Sequence, residues 1–333
     1  MHTLKPFINI SLLMLCCCSL TAGEWLAKSD MPTARQEIYA ATSNSKIYIP
    51  GGILNDIVTT TAAFEVLDVK SNQWQQLAPL PVPRHHIIPV IIDEKLYAMG
   101  GFDGPFPKWV LKSDMFIYDI QSNAWEKGES LPEARGEHVA LVLGENIHVI
   151  GGRVKVGDGE DHFDNYIDSN AHRVFNTKSG KWTSAAAAPT ARNSAAAAVI
   201  DGLIYVVGGR YNEVQEDGSQ LQQNVTALEM YDPGNDSWKS LSPMPEALGG
   251  NAATVLDGQL YVFGGEQWAP EHKVFPSTWV YDPKTDKWNK GPDMPTARHG
   301  LAAASAEGKV ITIGGCTVVG GGATVGTTEA LAP

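Results

Sequence analysis

The sequence predicts an all-β fold, a six-bladed β-propeller, and two observations carry that expectation. Trp stands at 25, 74, 125, 182, 238 and 288, and seven residues after each comes a proline, at 32, 81, 132, 189, 245 and 295. Ten residues after each Trp comes Arg35, Arg84, Arg135, Arg192, Leu248 or Arg298, and sixteen beyond that a Gly-Gly pair opens at Gly51, Gly100, Gly151, Gly208, Gly264 or Gly314. A gapless block recurring at such a period is the signature of stacked supersecondary units. Only the interval from Gly-Gly to the next Trp varies in length.

Residues 1–22 stand apart from this pattern. Lys5 precedes an apolar run from Phe7 to Leu20, and the small Ala22 suits cleavage, so the segment reads as an export signal and the chain as periplasmic or secreted. The run is shorter than a membrane helix requires, and no later stretch is apolar enough to span a bilayer. A lipid-attachment site would use Cys16, Cys17 or Cys18, but none follows the small residue that chemistry prefers. Beyond the segment only Cys316 remains, so no internal disulfide can form, and residues 23–333 read as one propeller domain.

Each period contains four short β segments. After the Arg position, runs such as Ile87 to Ile92 and Ala195 to Ile200 lead through tight turns, Asp201-Gly202 and Asp257-Gly258 among them, into strands that end at Gly-Gly. Met115 to Tyr118 and Leu228 to Tyr231 supply third strands, and the Trp leads the fourth. The alanine runs 185–188 and 195–198 favour helix by propensity, but their register with the other copies assigns the second run to an inner strand crowded around the axis. The last copy ends at Pro333 without its own Trp. Trp25 therefore supplies its outer strand, closing the last blade with the N-terminus.

Composition narrows the partners. Thirty-seven Asp and Glu against 25 Lys and Arg give a net charge of −12, which repels phosphate backbones, so nucleic acid is excluded as a partner. Alternating strands send the loop after Gly-Gly and the Pro-to-Arg loop to one face, and length variation falls on that face. Long loops on a rigid scaffold carry binding and catalysis. The residues one and two past the Arg position should ring the channel mouth, which assigns Glu37, His85, His86, Glu137, Asn193 and His299 to a ligand site, with Trp268 from a variable loop as an apolar wall. Glu37, His86, Glu137 and His299 break the repeat's symmetry, as an asymmetric ligand requires. His86 and Glu137 are the candidate acid–base pair. The arginines recur, and are expected to tie adjacent blades together through backbone carbonyls. The loop Asp158 to Asp168 reads as an acidic solvated loop and not as a metal site, since its spacing is not that of an EF-hand.

Gly-Gly after an apolar strand, Tyr-Asp, and Trp six residues past the Asp resemble the kelch repeat over essentially all of residues 23–333; Leu248 and Asn176 are departures. The resemblance implies pocket residues at the mouth and after Gly-Gly, as in kelch substrate adaptors of ubiquitin ligases. Similarity to exported bacterial sialic acid mutarotases, also six-bladed kelch propellers, implies a sugar epimerase or mutarotase as the alternative to a binding module. Copper-radical galactose oxidases share kelch repeats but need a Tyr-Cys crosslink; no Tyr-His pair adjoins Cys316 here, so neither metal nor cofactor is expected. The ligand expected from these features is a polar small molecule or glycan, or else a protein partner.

Overall fold

The computed structural model describes residues 23–56, 58–216 and 220–332; residues 1–22, read above as an export signal, and Pro333 lie outside them. Six four-stranded antiparallel sheets follow one another along the chain. From axis to rim, blade 1 is Ala41–Ser43, Lys46–Pro50, Phe64–Asp68 and Gln73–Gln76. The later blades begin with inner strands Ile88–Ile92, Val139–Leu143, Ala196–Ile200, Ala252–Leu256 and Ala302–Ala306. The second alanine run is thus an inner strand. There it presents small side chains where the inner strands of neighbouring blades come together.

Closure is as the repeat phase requires. Glu24–Ala27 is the outer strand of blade 6, pairing antiparallel with Thr328–Ala332 through Trp25 opposite Leu331. The Trp25 indole N–H also donates to the Pro292 carbonyl of blade 5 at 3.0 Å. Equivalent bonds run from Trp74 to Ser29, Trp125 to Ala78, Trp238 to Ala186 and Trp288 to Ser242. The recurring Trp is therefore a rim clasp onto the preceding blade; only the Trp182 indole N–H is left without a partner.

The arginine side chains do not tie neighbouring blades, contrary to the expectation above. Arg192 donates to the carbonyls of Val206, Gly208 and Ala227 and to Glu229, all within the blade it opens. Arg298 repeats this with Gly314, Thr327 and Glu329, and Arg35 with Ile49 and Glu65. Arg192 reaches only its own blade because the side chain runs back under its own Gly-Gly turn. What crosses the junction is backbone: Gly52, Gly101, Gly152, Gly209, Gly265 and Gly315 each donate N–H to the carbonyl of residue 84, 135, 192, 248, 298 or 35 of the next blade. Leu248 has no acid to meet in its own blade: Trp279 stands where blades 1, 4 and 6 place Glu65, Glu229 and Glu329, and it donates to Glu246.

Two outcomes follow. Deleting Gly23 to Met31 leaves blade 6 three-stranded with an open edge, so thermal denaturation should show a large loss of stability; equal melting of truncated and intact protein would overturn the closure. Arg192→Ala strands the buried Glu229 carboxylate and should cost about 3–5 kcal/mol in chemical denaturation, whereas a cost below about 1 kcal/mol would show that Glu229 is adequately satisfied by Thr190 alone.

Candidate functional site

The mouth of the channel on the loop-rich face is built from two rings of backbone. The residues two past the Arg position, Glu37, His86, Glu137, Ser194, Gly250 and Gly300, all have positive φ, between 48° and 64°. Four are not glycine, and a side chain in the left-handed region is uncommon. The conformation allows N–H groups to reach around the axis: His86 donates to Glu37 O, Ser194 to Glu137 O, Gly250 to Ser194 O, Gly300 to Gly250 O and Ile38 to Gly300 O. Strain of this kind gathers at functional sites.

The second ring comes from the residue just after each Gly-Gly. Ile53, Phe102, Arg210, Glu266 and Cys316 bridge to Gln36, His85, Asn193, Gly249 and His299, and Arg153 pairs with Gly136. Of the residues so bridged, Gln36 lines the cavity, whereas His85, Asn193 and His299, expected in the site, are fully buried and do not. Their backbones are consumed in the bridges and their side chains lie beneath the mouth. Asn193 donates to Asp168 at 2.6 Å, and His85 clusters with Phe102 and Trp109.

Above the rings opens a cavity of about 520 Å³. Its floor includes Glu37, His86, Glu137, Arg210 and Glu266, and its wall includes Trp109 and Trp268. Of the residues assigned from sequence, Glu37, His86, Glu137 and Trp268 reach it. Each carboxylate has a basic neighbour: Glu37 Oε2 lies 2.8 Å from His86 Nε2, Glu137 Oε2 lies 2.6 Å from Arg153 Nε, and Glu266 Oε1 accepts from Arg210 Nη1 at 2.8 Å. His86 is thus closer to Glu37 than to Glu137, which is 3.8 Å away. The acid–base pair drawn from sequence as His86 with Glu137 is, in the structure, His86 with Glu37, because Arg153 and the Ser194 hydroxyl engage Glu137.

The charges are set by these pairings. Burial pushes the Glu37 carboxyl up, but His86, His299 and Arg210 outweigh it and hold the group down at about 2. Burial likewise opposes ionisation of Glu266, and His299 and Arg210 again prevail, so its pKa is lowered. Burial holds the His85 imidazole well below its ordinary value. Beneath the mouth, burial and then Glu37 and Glu137 raise the pKa of Tyr39, whose ring stands in an otherwise alanine-rich chamber of about 90 Å³.

Arg210, Glu266 and Trp109 were not singled out from sequence. The first two share the position after Gly-Gly with Arg153, so their common offset was an available signal; Trp109 lies in a loop of irregular length and carried none. In the acidic loop, Asp161 accepts from Lys155 and Tyr166, while Asp168 turns inward to Asn193 and the Asn212 N–H. Among the described residues no group of three or more His, Cys, Asp or Glu is placed to hold a metal ion, and no helix is long and apolar enough to cross a membrane.

Comparison with known proteins finds the KLHDC2/KLHL20/DRC7 Kelch-repeats domain over residues 7–209 and again over 138–325. Kelch-like protein terF of Aspergillus terreus is 26% identical over 256 residues, covering 73% of this chain and 54% of that protein. Kelch-like protein 35 of Mus musculus is 25% identical over 244 residues, covering 72% and 37%. The chain therefore spans about half or less of the length of these relatives. The solved structure of YjhT matches with a TM-score of 0.74 at 20% identity, over 91% of this chain and 96% of that one, a likeness of fold.

The depressed Glu37 carboxyl makes a pH-dependent contribution to stability. Its folded value of about 2 lies below the ordinary 4.5, so the contribution is full above about pH 4.5 and is lost as pH falls toward 2. Glu37→Gln removes it. Urea denaturation should show the wild type ahead of the variant near neutrality, with the gap closing between pH 4.5 and 2; a gap independent of pH would contradict the assignment.

Proposed function

The chain belongs to the kelch-repeat family, and from that premise we propose that it binds a polar, carbohydrate-like ligand in the cavity of its loop-rich face. One observation carries the reading: a cavity of about 520 Å³ combines paired charges on its floor with Trp109, Phe106, Phe163 and Trp268 on its wall. Sugar rings present both kinds of surface, hydroxyls for the floor and C–H faces for aromatic rings. Ligand pockets of this size commonly set a few polar groups within an aromatic surround. Phe106 is half exposed, and its ring meets Phe163 and Trp109 edge-on or tilted, within 6 Å, so these three rings form one continuous stretch of the wall. The reading of residues 1–22 as an export signal supports binding outside the cytoplasm, where glycans are met; Gly23 at the N-terminus of a secreted or periplasmic protein is the expected result, and an intact Met1 on the folded protein would contradict it.

A second reading, sugar epimerase or mutarotase, is favoured by the close Glu37–His86 pair, because moving a proton between a hydroxyl and a ring oxygen needs adjacent groups of this type. The resemblance to sialic acid mutarotases gives it a substrate class to try first.

Calorimetric titration of neutral sugars and sialic acids tests both readings. A binding sugar should lose about 10-fold or more in affinity, the equivalent of ~1.4 kcal/mol, in each of Glu37→Gln, Arg210→Ala and Trp109→Ala. A hit unaffected by all three would place the site elsewhere. Exchange between anomers followed by NMR separates the readings: acceleration that Glu37→Gln abolishes marks an enzyme, and binding without acceleration marks a module.

A further inference from the structure

The histidines at 85 and 86 are consecutive, yet they do different things. His86 faces the cavity and His85 lies behind it, fully buried, with the two Nδ1 atoms 2.7 Å apart. We propose that His85 is a positioning residue of the loop-face site: its Nδ1–H fixes His86 in the tautomer that donates Nε2–H to Glu37, leaving the other Glu37 oxygen as the site's open acceptor for a ligand hydroxyl. The inference rests on the reading of this cavity as a ligand site.

The proton positions follow from the partners. Glu37 is ionised and can only accept, so His86 Nε2, 2.8 Å from Oε2, carries a hydrogen. With His86 neutral, its Nδ1 is bare and must accept, and the group in reach is His85 Nδ1. His85 must therefore be the donor, with its own Nε2 unprotonated. That nitrogen is buried without a partner, packed among Phe102 at 5.4 Å and Trp109 at 4.5 Å between ring centroids. Such an apolar enclosure disfavours a charge on His85, in keeping with its lowered pKa, to which burial contributes most and His86 next. The other groups facing the pair are Arg84, whose charge also lowers His85, Glu137 from the next blade, occupied by Arg153 and Ser194, and the buried His138, which is sensitive to the charge of His86.

Among the three floor carboxylates Glu37 is the one with an oxygen that neither accepts a hydrogen bond nor lies within about 3 Å of a basic nitrogen. Glu137 places one oxygen against Arg153 and accepts from Ser194 with the other. Glu266 accepts from Arg210 and Trp268 on Oε1 and from the Gly320 N–H on Oε2. Glu37 Oε2 is held by His86, while Oε1 approaches only His299, at 3.6 Å, beyond hydrogen-bond distance. Its side chain is also the most exposed of the three, at 13% against 5% and 3%.

The test is NMR of ¹⁵N-histidine-labelled protein at pH 7 without any ligand, with ring-nitrogen shifts assigned through the His85 and His86 variants. The expected spectrum has His86 protonated on Nε2 alone and His85 protonated on Nδ1 alone. His86 protonated on Nδ1 or on both nitrogens would overturn the proposal. His85→Asn, whose amide can donate from nearly the same place, should keep the His86 tautomer; His85→Leu should give a mixture of tautomers. If the leucine variant fails to fold, the wild-type and asparagine spectra still decide. With a sugar that binds, His85→Leu should weaken it several-fold and His85→Asn should restore it. A pure packing role would leave both variants with the wild-type tautomer. Should no sugar bind, the ligand reading fails while the tautomer assignment is decided by the spectra alone.

Discussion

The contact on which the rest of the molecule depends is between a Gly-Gly turn and one carbonyl of the following blade. At each junction the second glycine donates its N–H to the carbonyl of the residue at the Arg position. A Cβ on the first glycine would meet that same oxygen at 3.0 Å or closer. Both glycines also take positive φ, so neither position tolerates another residue without strain. Because the approach is so close, the angle between blades leaves little freedom. Six junctions of one geometry close a ring, and the diameter of the mouth above the axis follows from it.

Asymmetry is then introduced by matching small residues to large ones across those junctions. Phe102 fits because blade 3 has Gly136 where a Cβ would collide with the phenyl ring. Arg210 reaches the floor because Gly249 and Gly250 stand opposite it, and Glu37 lies against Gly300. These glycines do not make turns of the repeat. They create the volume in which an arginine, a carboxylate and an aromatic ring meet near the axis, and they explain why the ring residues differ between blades while the backbone beneath them does not.

That division decides what could be read from the chain alone. The spacing from Trp through Pro and Arg to Gly-Gly reports backbone junctions, rim clasps and the arginine braces, all of which recur and so leave a periodic trace; the blade count and the donation of Trp25 to blade 6 followed from it. The role of the arginines was misjudged because periodicity shows that a residue is structural without showing which way its side chain runs. Arg210 and Glu266 act through partners fifty or more residues away, a distance no local pattern records. Asn193 and His85 resemble their neighbours Ser194 and His86 in the sequence, and only the fold, which buries them fully behind the cavity lining, sets them apart.

The electrostatics of the floor constrain what can be recognised there. The chain as a whole is strongly acidic, yet each floor carboxylate is matched by His86, Arg153 or Arg210 at 2.6–2.8 Å. The two carboxylate–arginine pairs cancel one another's long-range field while keeping local directionality, and the Glu37–His86 contact adds direction of its own. Selection in such a site comes from where individual donors and acceptors point, and weakly from net charge, so a ligand with a definite arrangement of hydroxyls suits it better than a simple ion. The aromatic wall acts in the same sense, since it rewards a flat apolar face without regard to charge. Held between a directional floor and a flat wall, a ring-shaped polar molecule is oriented on both sides at once, and the residues that achieve this are those that the sixfold backbone leaves free to differ.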